Sequence, residues 1–269
     1  MADALVSVII PTYNSGKTLG LCLASINSQS YQNIEVIIVD NYSQDDTVKL
    51  AEEAGSIVYL IDSERAEAKN IGASKATGEF AFFIDSDMEL TKYVVEDCIN
   101  RIERDPRIGG IIVPERSVGN SYWVRVRDFE RKFYAGAAVE SARFFKRSVV
   151  EEAGGFEEGI VSYEESTLPQ KIENLGYNVR ARINTEILHH EEDFSLLFWL
   201  RKKYYYGKSA KNYHIKYPAY SHQQFSKINR LTLYLTNRLF YKKPLLALSV
   251  LFLKFVEYCS YKIGQWNIC

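Results

Sequence analysis

The triplet Asp85-Ser86-Asp87 closes the run Phe80-Ala81-Phe82-Phe83-Ile84, five residues without a polar side chain. Two carboxylates at the mouth of a buried strand repel each other unless a cation sits between them. A hard divalent ion with oxygen ligands, Mg²⁺ or Mn²⁺, resolves that repulsion and also binds a diphosphate. The plainer alternative is a strand-to-helix turn capped by Asp87 or Ser86.

Two other apolar runs end in polar residues. Thr12-Tyr13-Asn14 follows the run 6–11, and Asp40 follows the run 34–39. An exposed Tyr13 is able to stack on a base. Asp40 is able to accept the imide N–H of uracil, or to cap the turn before Asn41-Tyr42-Ser43. Arg65, Lys69 and Gly72 fall on one helical face. Two cations there suit phosphates; paired with Glu64 or Glu67 they are a solvated face.

Strands and helices must alternate to bring these residues together. Apolar, β-branched runs at 6–11, 34–39, 56–61, 80–84 and 108–113 predict strands. Helical patterns fill the gaps at 19–26, 45–54, 65–76 and 93–104. This alternation implies an α/β fold, a mostly parallel central sheet with helices on both faces. Ligands of such sheets bind at the carboxyl ends of the strands, where Thr12, Asp40 and Asp85 fall. Further along, helices are expected at 124–134, 147–153 and 167–175, and strands around Phe144-Phe145, at 179–183 and at 187–189. From Ser195 onward the pattern is helical, broken near Pro218, and Pro244 starts the last helix well.

Four ordered motifs carry a resemblance. They are the stretch from Val6 to Asn14; Asp40-Asn41-Tyr42-Ser43-Gln44-Asp45-Asp46-Thr47; Lys69-Asn70-Ile71-Gly72 with Ala76-Thr77-Gly78-Glu79; and Ile84-Asp85-Ser86-Asp87. Together they resemble glycosyltransferase family 2, inverting enzymes of the Rossmann-like GT-A fold. The resemblance implies a nucleotide pocket around Thr12, Tyr13, Asn14 and Asp40, with Arg65 and Lys69 toward the phosphates. It implies that Asp85, Ser86 and Asp87 meet the metal-diphosphate, Asp87 being the direct ligand. Lys69 stands where the family usually has arginine, which keeps the charge and loses the bidentate fork. The family also carries a Glu-Asp pair at a helix start. Here Glu164-Glu165 occupies that place, with Glu165 at the aspartate position as the implied base and Glu164 as its rival. Two acids in a first turn also suit the helix dipole with no catalytic role. His190 stands where similar members have a histidine near the metal; His189 should point the other way along a strand.

The implied division is a nucleotide-sugar-binding half at 1–115, an acceptor half at 116–194 and a helical tail at 195–269. The implied reaction is one in-line displacement from a nucleotide-diphosphate sugar, UDP favoured over GDP, to a hydroxyl of a glycan or polyprenyl-linked acceptor. A lipid phosphate acceptor, as in a polyprenyl-phosphate (dolichyl-phosphate) sugar synthase, is already an anion and needs no base. A decayed, non-catalytic nucleotide-sugar-binding module is the alternative of another class, since Glu165 and Lys69 depart from the family pattern.

Composition bounds these readings. Among 269 residues, 33 Lys and Arg balance 34 Asp and Glu, which argues against nucleic acid as a partner. The region after Pro11 lacks the Gly-x-Gly-x-x-Gly of dinucleotide enzymes and the Gly-rich loop of sugar nucleotidyltransferases. Cys22, Cys98, Cys259 and Cys269 form no Cys-x-x-Cys pair, which fits a reducing cytosol. No basic-then-apolar leader is apparent, so a signal peptide is not expected. The longest apolar run, 245–255, falls short of the ~20 residues a spanning helix needs. Basic and aromatic residues at 201–211 and Lys242-Lys243 beside that run fit either a helix packed on the core or a protein lying peripherally on the inner face of the membrane.

Overall fold

Side chains alternate across the strands, and that alternation builds two cores. Val6, Val8 and Ile10 face one way with Phe80, Phe82 and Phe144, and meet Leu19, Cys22, Leu23 and Ile26. Ile9 faces the other way with Ala81, Phe83 and Phe145, and meets Ala66, Ala68, Leu168 and Ile172. A period of two within each strand, with helical segments on both sides, is what a doubly covered sheet requires.

The computed structural model describes residues 4–191 and 194–266; Cys269 lies outside the described residues. In chain order the first elements are β1 (Val6–Thr12), α1 (Leu19–Asn27), β2 (Ile34–Asp40), α2 (Thr47–Glu53), β3 (Ile57–Leu60), α3 (Arg65–Lys75) and β4 (Phe80–Phe83). There follow β5 (Met88–Leu90), α4 (Val94–Glu103), β6 (Gly110–Ile112), β7 (Glu115–Val118), α5 (Tyr122–Arg131), β8 (Phe144–Lys146), α6 (Arg147–Glu152), α7 (Thr167–Asn174), β9 (Ala181–Arg182) and β10 (Ile187–His190). The chain continues as helices: α8 (Leu196–Lys216), α9 (Pro218–Phe225), α10 (Lys227–Leu235), α11 (Arg238–Lys242) and α12 (Pro244–Trp266).

Contacts group these elements into two units. The first comprises 1–115, 141–159 and 164–190; the second comprises 116–140, 160–163 and 191–269. The units interleave along the chain, where the sequence reading has three consecutive segments. The reason is that β8 and β9 complete the first unit's sheet while α6 and α7 pack against it.

That sheet has seven strands in the order β3-β2-β1-β4-β8-β6-β9. Pairings β1–β2, β1–β4, β2–β3 and β6–β9 are parallel, while β8 runs antiparallel to both of its neighbours. The mostly parallel α/β fold with helices on both faces is thus as expected. β10 pairs antiparallel with β5, a short strand directly after the acidic triplet, with His189 opposite Met88. Gly72 serves packing. A Cβ there would sit 2.4 Å from Ile9 Cγ2, so only glycine lets α3 lie this close to β1.

Among its described residues the second unit is built mainly from helices, with residues of β7 and connecting turns. Val126, Phe129 and Phe133, on and just after α5, bury against Tyr234, Phe240, Ala247, Val250 and Leu253. α8 and α12 cross at Gly207 and Gly264, where a Cβ on either would lie within 2.1 Å of the other helix's backbone oxygen. α12 has 23 residues, longer than the apolar run 245–255 suggests. Lys254, which interrupts the run, pairs with Glu257 at 2.7 Å within the helix. Among the described residues it is the one helix long and apolar enough, by length and composition, to cross a membrane.

Candidate functional site

The site lies in the first unit, at the carboxyl ends of β1, β2 and β4. Asp40, the last residue of β2, is fully buried. Its Oδ1 accepts the Ser43 N–H at 2.7 Å, and its Oδ2 accepts the hydroxyls of Thr12 and Ser43, both at 2.6 Å. Asp40 therefore does the turn-capping job and ties the end of β1 to the loop after β2. This departs from the uracil-accepting role read from the sequence, because its carboxylate is already bonded and out of reach of solvent. The two loops are laced further. Asn14 takes a left-handed φ of 48°, its N–H reaches Ser43 Oγ at 2.7 Å, and its Oδ1 accepts the Gln44 N–H at 2.8 Å. Tyr13 and Tyr42 project from these laced loops with more than half of their surface exposed. Two aromatic faces on a fixed backbone suit the stacking of a base.

The triplet after β4 meets cations supplied by the protein itself. Arg143, directly before β8, has Nη1 3.6 Å from Asp85 Oδ2, and its Nε and Nη2 donate to Glu115 Oε1 at 2.8 and 2.5 Å. Burial alone would raise the Asp85 carboxyl. Arg143, followed by Lys69, Arg65 and His189, instead holds it well below the usual carboxylate range. The repulsion that called for a metal in the sequence is thus largely relieved at Asp85 by Arg143. Ser86 Oγ donates to Ser15 Oγ at 2.9 Å, pinning the triplet to the loop after β1.

Asp87 is different. Its Oδ2 meets His189 Nε2 at 3.1 Å, and its Oδ1 is buried with no hydrogen-bond partner. An orphaned carboxylate oxygen is costly unless something binds it, and a hard cation suits it. Among the described residues no group of three His, Cys, Asp or Glu is set to hold a metal unaided. That fits an ion such as Mg²⁺, which takes one or two carboxylates and completes its shell with water and substrate phosphate oxygens. Asp87 therefore fits as the carboxylate of such a site, and Asp85, engaged by Arg143, fits less well. His190 also departs from expectation. Its ring meets Glu89 at 2.8 Å, and it is His189 that reaches Asp87 and, through Nδ1, approaches Glu115 at 3.6 Å. The pairing of β10 with β5 decides which ring faces the triplet.

The acidic pair opens a 3₁₀ turn, Glu164–Ser166, that leads into α7. Thr167 locks the turn by donating to the Glu164 carbonyl at 2.7 Å while accepting the Glu157 N–H at 3.0 Å. Asn70 on α3 steadies the loop before it, accepting the Phe156 N–H at 2.7 Å and donating to the Phe156 carbonyl at 3.0 Å. Glu164 is buried, with Oε1 3.4 Å from Lys69 Nζ and 3.6 Å from Arg65 Nη1. Lys69 is itself buried and lies 5.1 Å from the centre of the Phe156 ring. Both cations thus reach Glu164. Burial would raise the Glu164 carboxyl, but Lys69 and then Arg65 outweigh it and keep it low. Glu165 keeps some exposure. Burial, and then the negative charge of Glu164, push its carboxyl up to about 7. Lys69 and Arg65 act on both Asp85 and Glu164, and Arg143 on both Asp85 and Glu165, so both acidic groups share one cationic layer.

Sequence reasoning missed Arg143 and Glu115, and it turned His189 away from the site. Arg143 carried one faint signal, a lone cation before the apolar pair Phe144-Phe145. Its position beside Asp85 follows only from β8 running antiparallel to β4.

A Rossmann-like sheet whose strand ends gather a laced loop pair, an Asp-x-Asp turn and an acidic helix start defines the GT-A class. The sequence profile described as Glycosyl transferase family 2 matches residues 7–154, more than half of the chain, and the chain belongs to that family. It is 35% identical over 136 residues to the glycosyltransferase GlyG of Streptococcus pneumoniae, covering 46% of this chain and 45% of that protein. It is 37% identical over 92 residues to WfgD of Escherichia coli, named a UDP-Glc:alpha-D-GlcNAc-diphosphoundecaprenol beta-1,3-glucosyltransferase, covering 32% of this chain and 36% of that one. Both matches span less than half of the relative's own length. In fold the chain is similar to the mannosyltransferase PcManGT of Pyrobaculum calidifontis, solved with GDP-Man and Mn²⁺. The TM-score is 0.61 at 19% identity, with 100% of this chain and 84% of that one covered.

Proposed function

We propose that the protein transfers a sugar from a nucleotide-diphosphate donor, UDP-linked in preference to GDP-linked, to a hydroxyl of a glycan or polyprenyl-linked acceptor, with inversion at the anomeric carbon. The observation that carries this reading is the acidic turn itself: Lys69, 3.4 Å from Glu164, keeps that carboxylate ionised, and beside it burial and the Glu164 charge push the partly exposed Glu165 carboxyl up. A base poised near neutrality is what an acceptor hydroxyl needs, and what an already ionised lipid phosphate does not. This favours the hydroxyl acceptor over the polyprenyl-phosphate synthase reading. An acid pair held in place by Lys69 and a partnerless Asp87 oxygen also speak against a decayed module.

In the proposed reaction the base stacks at Tyr13 and Tyr42, on the loop pair held by Thr12, Asn14 and Asp40. The diphosphate lies at the triplet, toward Arg65 and Lys69. A divalent cation, Mn²⁺ or Mg²⁺, held through Asp87 would supply charge neutralisation for the leaving diphosphate. Arg143 keeps Asp85 ionised and turned into the site, and His189 orients Asp87. The acceptor oxygen attacks the anomeric carbon as its proton passes to Glu165. The bond from that carbon to the diphosphate oxygen breaks, and the nucleoside diphosphate departs with the electron pair. Two relatives support the substrate classes by what their descriptions say: WfgD names a UDP-sugar and a diphosphoundecaprenol-linked acceptor, and PcManGT was solved with a GDP-sugar and Mn²⁺. A cytosolic donor with a membrane-linked acceptor sets the reaction at the inner face of the cell membrane.

The test is a panel of UDP- and GDP-sugars with Mn²⁺, assayed against polyprenyl-diphosphate-linked sugars and against polyprenyl phosphate. Turnover with a sugar hydroxyl, lost in Glu165→Gln, supports the reading. Turnover of polyprenyl phosphate that Glu165→Gln leaves intact overturns it.

A further inference from the structure

The C-terminal helix carries its polarity inside out. On α12 the outward residues are Leu245, Leu248, Phe252, Phe255, Ile263 and Trp266, spaced by three and four with the partly exposed Cys259 filling the gap. Leu245 is 68% exposed, Phe255 65% and Trp266 75%. The charges at the middle of the helix turn the other way. Lys254 Nζ meets Glu130 of α5 at 2.6 Å and Glu257 at 2.7 Å, and Glu257 accepts the Trp199 indole N–H at 2.6 Å. A helix in water does the reverse. α10 also exposes apolar residues, Ile228 at 78% together with Leu231 and Leu235.

The charge of this region is as lopsided as its exposure. Between residues 194 and 266 there are thirteen Lys and Arg and one acid, Glu257. That acid is buried and paired, so the stretch presents cations without anions. Lys242 and Lys243 are exposed directly before α12, and Lys227 Nζ lies 3.9 Å from the centre of the Tyr258 ring. Exposed Arg201, Lys208 and Lys211 sit on α8, which the Gly207–Gly264 crossing fixes to α12.

We infer that this face of the second unit binds an anionic lipid surface, with α12 lying in the plane of the membrane. Leucine, phenylalanine and tryptophan enter the boundary between headgroups and chains, while the flanking lysines meet anionic headgroups. A helix of 23 residues presents an apolar edge about 34 Å long to that boundary. The helix does not cross, because its central Lys254 is tied to α5 through Glu130. A second copy of the chain fits the face less well. Pairing two such faces would bring two stretches rich in Lys and Arg together, with Glu257, their one acid, buried and already paired. The inference is independent of the donor and of the catalytic residues.

The experiment is co-sedimentation of the full chain with phosphatidylcholine vesicles, with and without about one third phosphatidylglycerol. Binding to the anionic vesicles, weakened by salt, is expected. Phe252→Ser with Phe255→Ser should keep the circular dichroism spectrum and cut vesicle binding about tenfold or more. Lys242→Glu with Lys243→Glu, both exposed, should remove the preference for phosphatidylglycerol. Sedimentation velocity gives the contrary outcome. A dimer that the phenylalanine variant converts to monomer, with vesicle binding unchanged, overturns the inference in favour of a second copy. Absence of wild-type binding to either vesicle overturns it outright.

Discussion

Replacing Glu165 by glutamine keeps the shape of the side chain and removes its capacity to take a proton. Glu165 sits next to a carboxylate that Lys69, 3.4 Å away, holds ionised, and burial and that negative neighbour raise its own carboxyl to about 7. Below that pH the wild-type carboxyl is protonated and cannot act as a base. The logarithm of kcat/KM should therefore rise by about one per pH unit up to pH 7 and level off above it. Loss of a positioned base costs about 10²- to 10⁴-fold, about 2.7 to 5.5 kcal/mol of barrier, so Glu165→Gln should fall by that factor at pH 8. Its residual rate should lose the acid limb. UDP affinity should stay within about threefold, because the reasoning gives Glu165 no part in holding the donor. The assay is nucleoside diphosphate release between pH 5 and 9, with UDP binding by calorimetry on the same preparations. A glutamine variant that keeps a third of the wild-type rate, or the same acid limb, refutes the assignment. Glu164→Gln supplies the opposite sign. Removing the neighbouring negative charge lowers the Glu165 carboxyl, so the acid limb should move to lower pH.

Asp87→Asn should weaken Mn²⁺ binding about 10- to 100-fold and abolish the extra thermal stabilisation that Mn²⁺ gives with UDP; equal stabilisation in variant and wild type refutes a ligand role for Asp87. Lys69→Met leaves a buried carboxylate short of its nearest cation and should cost about 3–5 kcal/mol in denaturant unfolding at neutral pH. Because the folded Glu164 carboxyl lies below its ordinary value of 4.5, wild-type Glu164 stabilises the fold above that pH and its contribution fades as the pH falls further. The methionine variant should narrow its deficit over the same acid range. Gly72→Ala places a Cβ 2.4 Å from Ile9 and should lose about 1–3 kcal/mol in the same measurement, with UDP affinity unchanged if the glycine serves packing alone.

What was legible in the sequence was what local pattern determines. β1, β2, α3 and β4 begin within a residue of where their apolar runs or helical spacing set them, because each signal sits inside the element itself. The partners of the acidic triplet were not legible. Arg143 reaches Asp85 across an antiparallel pairing, and no feature of residues 141–146 states the direction of β8. The histidines show the same limit. Alternation along β10 says that His189 and His190 face opposite ways, while only the register with β5 says which of them meets Asp87. Asp40 marked the end of β2 correctly. Its depth, and the two hydroxyls that occupy it, depend on how the loops after β1 and β2 fold against each other. On α12 the apolar count was visible from the start, but which side would be outward was fixed by the partners of Lys254 and Glu257.

The charges of the site bear on how a donor enters. Asp85, Asp87, Glu115, Glu164 and Glu165 face Arg143, Lys69 and Arg65, with His189 between Asp87 and Glu115. The cations are largely committed. Arg143 serves Glu115 and Asp85, and Lys69 serves Glu164. In the proposed reaction a nucleoside diphosphate would meet these acids at close range, and its own negative charge would be repelled. The protein cations hold the acids in shape more than they attract the donor. On the proposed reading, a divalent cation beside the unpartnered Asp87 oxygen is what makes the triplet attractive to a diphosphate at all. The same logic explains a partly protonated Glu165. Burial and the negative charge of Glu164 outweigh what Lys69 and Arg143 lend to Glu165, so its proton is held until the pH approaches 7. On the proposed reading, scarce positive charge bears on the need for a metal beside Asp87 and, together with burial, on the raised Glu165 carboxyl.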